Sequence, residues 1–547
     1  MKKFTAILLA VVMVFALGAS AFAADTTPVT TKAVDTTLSV TVDYTIEGLY
    51  FDGTTLKSSA TNGYYPFNFS FIVSDRTAVG SITVSNGGSF AWASDSEDSE
   101  TESTTTTYGL VTLPTTSAST VTVTSASGNT LTISCAQPNG GTTAAGTALY
   151  AYLPAPAQFV NEGVTTGGWG DAYDSNGAVK ATGSTGVSLG FFGGYAVYEF
   201  ENPIADDPTH PYGADFIVYG NAFWNNSEAG CIQVSKDGTT WYDIAGSMYY
   251  TKSTKGATIT YTNPNPNEDK GITAAGATST LADVPYALTV NGTTTSGTVT
   301  KNTFHNHSWF PLNANYFVDS GTRKEMAKVD EFSFVSRTLN SDNITSTLTF
   351  KGTLLTNYPG TGKTDQIGFG YCDVHPNKTL GGTIAYNPYQ TFTSSSDYDT
   401  KVAGTSGGDP IDIAWAVNSS GAPVKLGSIK YVRIYTGMAQ MNGIFGEIST
   451  EVCGVAACTG STTETAATPT ISVDGSTVTT TNGGILPLSK KSGDYTVNVT
   501  GTGYVYINGV ATTSATITPT RTGTKVQIIV QNGEAAPYVT YLNLQKK

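Results

Sequence analysis

Between Asp215 and Gly246 the chain reads DFIVYGNAFWNNSEAGCIQVSKDGTTWYDIAG, three short apolar runs parted by Asn- and Gly-rich punctuation. Phe216 to Tyr219, Cys231 to Val234 and Trp241 to Ile244 are β-branched or aromatic, the composition of strands, and Asn225-Asn226-Ser227 and Lys236-Asp237-Gly238 supply the turns between them. The segment reads as a β-meander and points to an all-β fold. Helical periodicity is nearly absent after the N-terminal segment, with short helical turns expected only near Met438 to Phe445. Pro and Gly punctuation along the whole chain fits sandwiches or jelly rolls, and no fixed-period repeat suggests a solenoid or propeller.

Met1-Lys2-Lys3, an apolar stretch from Ala6 to Leu17 and Ala21-Phe22-Ala23 form the basic, apolar and small-x-small parts of an export signal, with cleavage expected after Ala23. No later segment is apolar enough for a membrane helix, so a soluble, secreted or surface-associated protein is expected. No Cys follows the apolar stretch and the C-terminus carries no hydrophobic sorting tail, so surface retention is expected to be non-covalent. Loss of Lys2 and Lys3 takes the formal charge from −14 to −16, 26 basic against 42 acidic side chains. That field repels phosphate backbones and anionic lipid, which excludes nucleic acid and membrane surfaces as natural partners. Only 13% of residues are charged, and the abundance of Thr, Ser, Gly, Asn and Tyr leaves neutral polar faces suited to sugars as well as to plain solubility.

Composition divides the chain into a signal peptide (1–23), a Thr/Ser-rich β-domain (24–150), a central jelly-roll-like domain rich in aromatics (151–458), a linker (459–468) and an immunoglobulin- or cadherin-like sandwich (469–547). Leu38 to Val42 and Val121 to Val123 alternate as strands in the first unit, and Tyr495 to Val499, Tyr504 to Ile507 and Val526 to Val530 do so in the last. Of the five cysteines, Cys135, Cys231, Cys372, Cys453 and Cys458, an odd count leaves at least one free thiol or an intermolecular bridge, and Cys453 and Cys458 are spaced to close a small local disulfide or to pack as small apolar groups.

Gln158 to Asn161, Val187 to Gly194, Asp215 to Gly246, Asp412 to Val417, Tyr431 to Gly437 and Gly446 to Glu451 together resemble a family of bacterial exported cell-surface proteins with a galactose-binding-like, or discoidin-like, jelly-roll core. The resemblance covers much of 151–458 and implies a surface location; nutrient capture, including corrinoid uptake, is a role it suggests. Jelly rolls of this type often carry structural calcium, for which Asp206, Asp207, Asp215 and Asp237 are the implied ligands. Read from the residues alone, Val187, Leu189 and Phe191 share one face of a strand. Tyr431, Arg433 and Tyr435 form a polar face opposite Val432 and Ile434, from which Arg433 makes a surface salt bridge or binds a carboxylate.

Four groups of residues are candidates for chemistry. His305 and His307, in HNH, lie on one side of an extended chain and with Asp373 and His375 supply a metal-ligand set. Asp95 to Glu102 and Asn263 to Asp269 offer oxygens for calcium or simply form solvated acidic loops. Trp169, Tyr212, Trp224 and Trp309 sit among Gly, Asn and Pro in expected loops, where rings stack on sugars, whereas Trp241 and Trp415 belong to strand patterns and the core. Nucleophile-elbow, zincin, P-loop and dinucleotide motifs are absent; Glu228 and Glu447 are the acids to test for glycoside hydrolysis.

The expected function is a secreted or surface-associated non-catalytic binding protein that needs no cofactor beyond structural calcium. Its partners would be an extracellular glycan, a cell-envelope component or a small polar ligand, taken by loop aromatics. Corrinoid-type nutrient capture and a structural surface-layer role are the alternatives.

Overall fold

The computed structural model describes residues 29–42, 49–58, 65, 68–92, 107–114, 117–138, 147–161, 169–170, 186–222, 227–266, 282–302, 305, 308–311, 332–342, 344–356, 368–375, 382–384, 386–390, 407–443 and 446–547. Nearly all regular structure among them is strand, mostly in antiparallel sheets, with single 3-10 turns in place of helices. No helix of the described residues is long and apolar enough to cross a membrane. The export signal and the acidic run Asp95 to Glu102 lie outside them.

The N-terminal unit is a sandwich of two five-stranded sheets. Its strands alternate cleanly: in Ser119–Ser125, Val121 and Val123 point into a core with Phe69, Phe71 and Ile133, and the threonines between them are half-buried.

The central unit is layered around a six-stranded sheet whose order is Thr147–Leu153, Tyr195–Ala205, Ser428–Thr436, Gly230–Ser235, Tyr242–Ile244, Ala416–Val417. Both faces of this sheet are covered. Period two sends Tyr195, Val197, Cys231 and Tyr435 into one core and Ala196, Tyr198, Ile232, Val234, Val432 and Ile434 into another. The first core is closed by an outer five-stranded sheet, Thr293–Val299, Val284–Val290, Ser253–Thr262, Thr345–Leu355, Val335–Leu339, which contributes Ile259, Tyr261, Leu348 and Phe350. The second core is closed by the small sheet Asp409–Ile411, Phe216–Tyr219, Gly454–Ala457 and by the C-terminal unit.

That C-terminal unit is a sandwich of a four- and a five-stranded sheet. Val526, Ile528 and Leu542 face its own core, while Ile529, Val539 and Tyr541 face the central unit. Residues 459–468 are a pinned strap: Thr459 N–H donates to Gly382 O (2.8 Å), Thr462 N–H to Thr209 O (2.7 Å), and Glu464 Oε2 accepts from Glu534 N–H (2.8 Å).

Three local expectations change. The three apolar runs after Asp215 are strands, but they do not form a meander: Phe216–Tyr219 pairs with Asp409–Ile411 and Gly454–Ala457, and only the later two runs pair with each other. Phe191 leaves the core of Val187 and Leu189 for the opposite one, because the strand Gly186–Ser188 stops short of it and Gly190 (φ 72°) turns the chain. Arg433 is fully buried, since the outer sheet covers the face expected to be polar. Near Met438 to Phe445, Gly443 lies in a 3-10 turn, and Met441 pairs with Glu447 across it, with Asn442 N–H donating to Gly446 O (2.7 Å).

Candidate functional site

Two carboxylate centres and one hydroxyl-bearing sheet face are the chemically distinctive features. In the first centre Asp206, Asp215 and Asp412 each place an oxygen within 4.8 Å of the others. Asp215 is fixed by its own surroundings: Oδ1 accepts from Asp207 N–H (2.8 Å) and Oδ2 from Ile413 N–H (2.9 Å), while His210 Nδ1 stands 3.3 Å from Oδ1. Asp412 caps a 3-10 turn through Ala414 N–H (2.7 Å). Burial and mutual repulsion raise all three acids above the usual carboxylate range, Asp206 to about 6, and burial lowers His210.

In the second centre half-buried Glu228 meets buried Asp373 and Glu451, again within 4.8 Å. Asp373 Oδ1 accepts from Asn221 N–H (2.8 Å) and Ala222 N–H (3.0 Å), and Oδ2 from Glu451 N–H (3.0 Å). Burial raises all three, and Asp373 reaches about 7 despite those donors.

The calcium set expected from the resemblance is therefore split. Asp206 and Asp215 come together with Asp412; Asp207 instead holds Thr209 through N–H (2.9 Å) and Oγ1 (2.8 Å). Asp237 stays in the hairpin turn after Gly230–Ser235, where Oδ1 accepts from Thr239 and Thr240 N–H (both 2.7 Å), bonds that spend the carboxylate on the turn itself. The expected His–Asp metal set does not assemble among the described residues. Asp373 takes φ 57°, which breaks the extended run and sends it to Glu228, while His375 Nδ1 bonds Asp409 Oδ1 at 2.7 Å. His305 packs edge-on against Phe159 (centroids 4.7 Å apart), and His307 lies outside the described residues. Asn263 is buried and donates to Thr345 O (3.1 Å); residues 267–269 are not described.

The aromatics expected to grip a ligand do other work. Trp309 is 1% exposed, packed in the first core with Nε1 donating to His305 O (3.2 Å), so it presents no ring face. Tyr212, at φ 60°, is half-buried at the seam with the C-terminal unit and donates its N–H to Glu534 O (2.7 Å). Trp169 is joined by its backbone to Gly186 in a strand pair, and Trp224 lies outside the described residues. Trp415 and Trp241 pack on the cores, Trp241 only partly buried. Glu447 is buried, with Oε1 accepting from Gln158 N–H (3.2 Å).

What sequence reading missed is the outward face of the outer five-stranded sheet. Its registers align Thr294, Thr289, Thr258 and Lys351 in one row, and Ser296, Ala287, Thr260, Thr349 and Ser336 in the next. Beyond them Thr298 faces Pro285, and Thr262, Thr347 and Thr338 align. Hydroxyls bond across the strands: Thr260 to Thr349 at 2.9 Å, Thr289 to Thr294 at 2.8 Å, Thr338 to Thr347 at 2.6 Å. The rows carry no carboxylate and no aromatic ring, and every member is half-buried or exposed. The period-two Thr spacing in TITYT and TSTLTF was a readable signal, but only pairing turns it into a face.

A scan against protein-family models finds no match to this sequence, and neither does a search of curated proteins.

Proposed function

We propose that the protein is a secreted or cell-surface, non-catalytic binding protein that takes a neutral extracellular glycan on the hydroxyl face of the outer sheet. The carrying observation is the ordered array of Thr and Ser side chains across five paired strands, fixed by cross-strand hydroxyl bonds and free of carboxylates. Strand spacing of about 4.8 Å and a same-face repeat of about 6.8 Å make a regular grid of donors and acceptors. Such a grid matches a neutral polyhydroxylated surface better than a charged one, and it agrees with the small share of charged residues, 13%. Pre-bonded hydroxyls also lose little rotamer freedom on binding.

The test is co-sedimentation of the full mature chain with insoluble polysaccharides, together with a glycan array, for wild type and a Thr260→Glu/Thr349→Glu variant. Binding that falls at least tenfold in the variant while its circular dichroism is unchanged supports the proposal. Absence of binding to every glycan, or binding indifferent to the two charges, overturns it.

A further inference from the structure

We propose that Thr293–Val299, an edge of the outer five-stranded sheet, pairs antiparallel with the same strand of a second copy of the chain to form a two-fold dimer. This strand ends the sheet order, and among the described residues no backbone hydrogen bond reaches its outer side. A row of unpaired N–H and C=O groups is a template for another strand, and folded proteins blunt such edges with short length, charge, proline or a bulge. The other edge strands of more than four residues each carry such a device. Val79–Val84 and Thr147–Leu153 are bulged, Val335–Leu339 is bulged and holds Arg337, and Ile485–Lys490 holds Pro487 and Lys490. Thr293–Val299 has 7 residues in unbroken register with Val284–Val290, with no charge and no proline.

The hairpin determines which groups the edge offers. Asn291 (φ 49°) and Gly292 (φ 77°) make a two-residue loop closed by Val290 and Thr293. The closing pair of such a loop is hydrogen-bonded, and bonded and non-bonded pairs then alternate. Thr293, Thr295, Gly297 and Val299 thus bond inward to Val284–Val290. Pro285, which has no N–H, stands opposite Thr298 in a non-bonded pair, as that alternation requires. Thr294, Ser296 and Thr298 therefore aim their N–H and C=O groups outward, and all three residues are exposed.

A second copy is the occupant because the strand complements itself. With the two-fold axis at Ser296, Thr294 of each copy meets Thr298 of the other and the two Ser296 residues meet. Every outward N–H and C=O is then bonded, whereas any other centre leaves some unpaired. The facing side chains are Thr on Thr and Ser on Ser, the kind of pair that already joins Thr289 to Thr294 at 2.8 Å within the sheet. Charge permits the approach: the chain carries −14, yet this strand is neutral, and the first charged residue after it, Lys301, falls opposite Asn291. Arg337 and the bulge on the opposite edge keep the pairing from propagating, so it closes at two copies. The hydroxyl rows then run unbroken from one copy into the other.

The experiment is sedimentation equilibrium of the full mature chain over a concentration series reaching about 1 mM. The comparison proteins are Ser296→Pro, Thr294→Lys/Thr298→Lys and Thr294→Glu/Thr298→Lys, each checked for unchanged circular dichroism. Proline at position 296 removes an outward N–H without breaking a bond to Val284–Val290, so the monomer keeps its fold. Three results together support the dimer: twice the monomer mass in wild type, association at least tenfold weaker in Ser296→Pro and Thr294→Lys/Thr298→Lys, and recovery in Thr294→Glu/Thr298→Lys, where opposite charges face across the axis. A wild type that stays monomeric throughout, or association undiminished in both Ser296→Pro and Thr294→Lys/Thr298→Lys, overturns it. No glycan enters the readout, so the dimer and the glycan-binding reading fail separately.

Discussion

The guanidinium carbon of Arg433 stands 3.6 Å from the centroid of the Phe334 ring. A second ring, Tyr435, lies 4.1 Å away on the same cation, in the fully buried layer between the six-stranded and outer sheets. The nearest balancing charge acts at one remove: Arg433 Nη1 donates to Gln233 Oε1 (2.7 Å), and Gln233 Nε2 donates to Asp243 Oδ1 (2.7 Å). Asp243 is also bonded by Tyr249 Oη and Thr353 Oγ1 (both 3.1 Å). Burial lowers the Arg433 pKa only to about 10, so the side chain stays charged.

Arg433→Ala therefore leaves a cavity between Phe334 and Tyr435 and takes the donor from Gln233, at a cost of about 2–5 kcal/mol. Arg433→Lys does not rescue it, because an ammonium cannot stack on Phe334 while reaching Gln233. Urea denaturation of the two variants, with Gln233→Leu completing a double-mutant cycle, measures this. Coupling between positions 433 and 233 below about 0.5 kcal/mol would show that the amide carries no electrostatic relay.

The central and C-terminal units are expected to unfold as one. Tyr506 Oη donates to Tyr389 O, Tyr541 packs near Tyr250 (centroids 6.4 Å), and both C-terminal tyrosines belong to the central core. The seam is tightest at Gly509, the φ 73° residue of an Asn-Gly hairpin turn, where a Cβ would overlap the carbonyl oxygen of Ser247. Gly509→Val combines an unfavourable φ with that clash and should cost more than about 1 kcal/mol. Calorimetry should show a shared central and C-terminal transition in wild type that splits or falls in the variant, together with faster proteolysis after Thr459. A C-terminal unit that melts independently in wild type would contradict the shared core.

Local patterns in the sequence carried the strand positions, and long-range pairing carried the rest. Phe216–Tyr219 is visible as a strand because four apolar residues end at Gly220, yet its partners lie some two hundred residues on, and nothing local distinguishes them from Gly230–Ser235. Arg433 alternates with Val432 and Ile434 as a surface residue would; its burial is decided by a sheet that arrives from residues 253–355. Asp412 and Glu451 carry no motif, because each completes its centre only through three-dimensional proximity to Asp215 or Asp373. Trp309 reads as a loop ring because Asn and Pro surround it, although a ring of that size contributes more as core than as contact.

The Asp206–Asp215–Asp412 centre sets a pH dependence. Asp207 raises Asp206 further, and Lys425 and His210 oppose it. An acid whose folded pKa is raised binds its proton more tightly when folded, so its penalty is absent below the unfolded value near 3.9 and grows as pH rises to the folded value. For Asp206 that window ends at about 6, and Asp215 and Asp412 extend it upward. The urea midpoint in EDTA is expected to fall between pH 4 and pH 6. Because Asp206 is half-buried and screened, Asp412→Asn should flatten the slope more than Asp206→Asn does. A slope identical in wild type and Asp412→Asn would place its origin elsewhere.

The cysteines give the last prediction. All five are buried thiols outside any disulfide, and of the two readings open for Cys453 and Cys458, a small local disulfide or apolar packing, they take the second. The strand Gly454–Ala457 runs straight between them, pinned at one end by Cys453 N–H on Tyr219 O and at the other by Cys458 N–H on Asp215 O (both 2.7 Å). Five extended residues hold the two Cα atoms roughly 16 Å apart, beyond any disulfide's reach. Both sulfurs fill a small cluster with Ala214, Ile217 and Tyr219. Burial also pushes the thiols up, Cys135 to about 11 and Cys458 well above its ordinary value, so thiolate is scarce. Ellman's reagent should therefore find no reactive thiol in the native protein at pH 8 and five after unfolding in guanidinium, with Tm unchanged by reductant. Three thiols in the unfolded chain, or a Tm lowered by reductant, would reveal a disulfide and oblige the strand between Cys453 and Cys458 to bend.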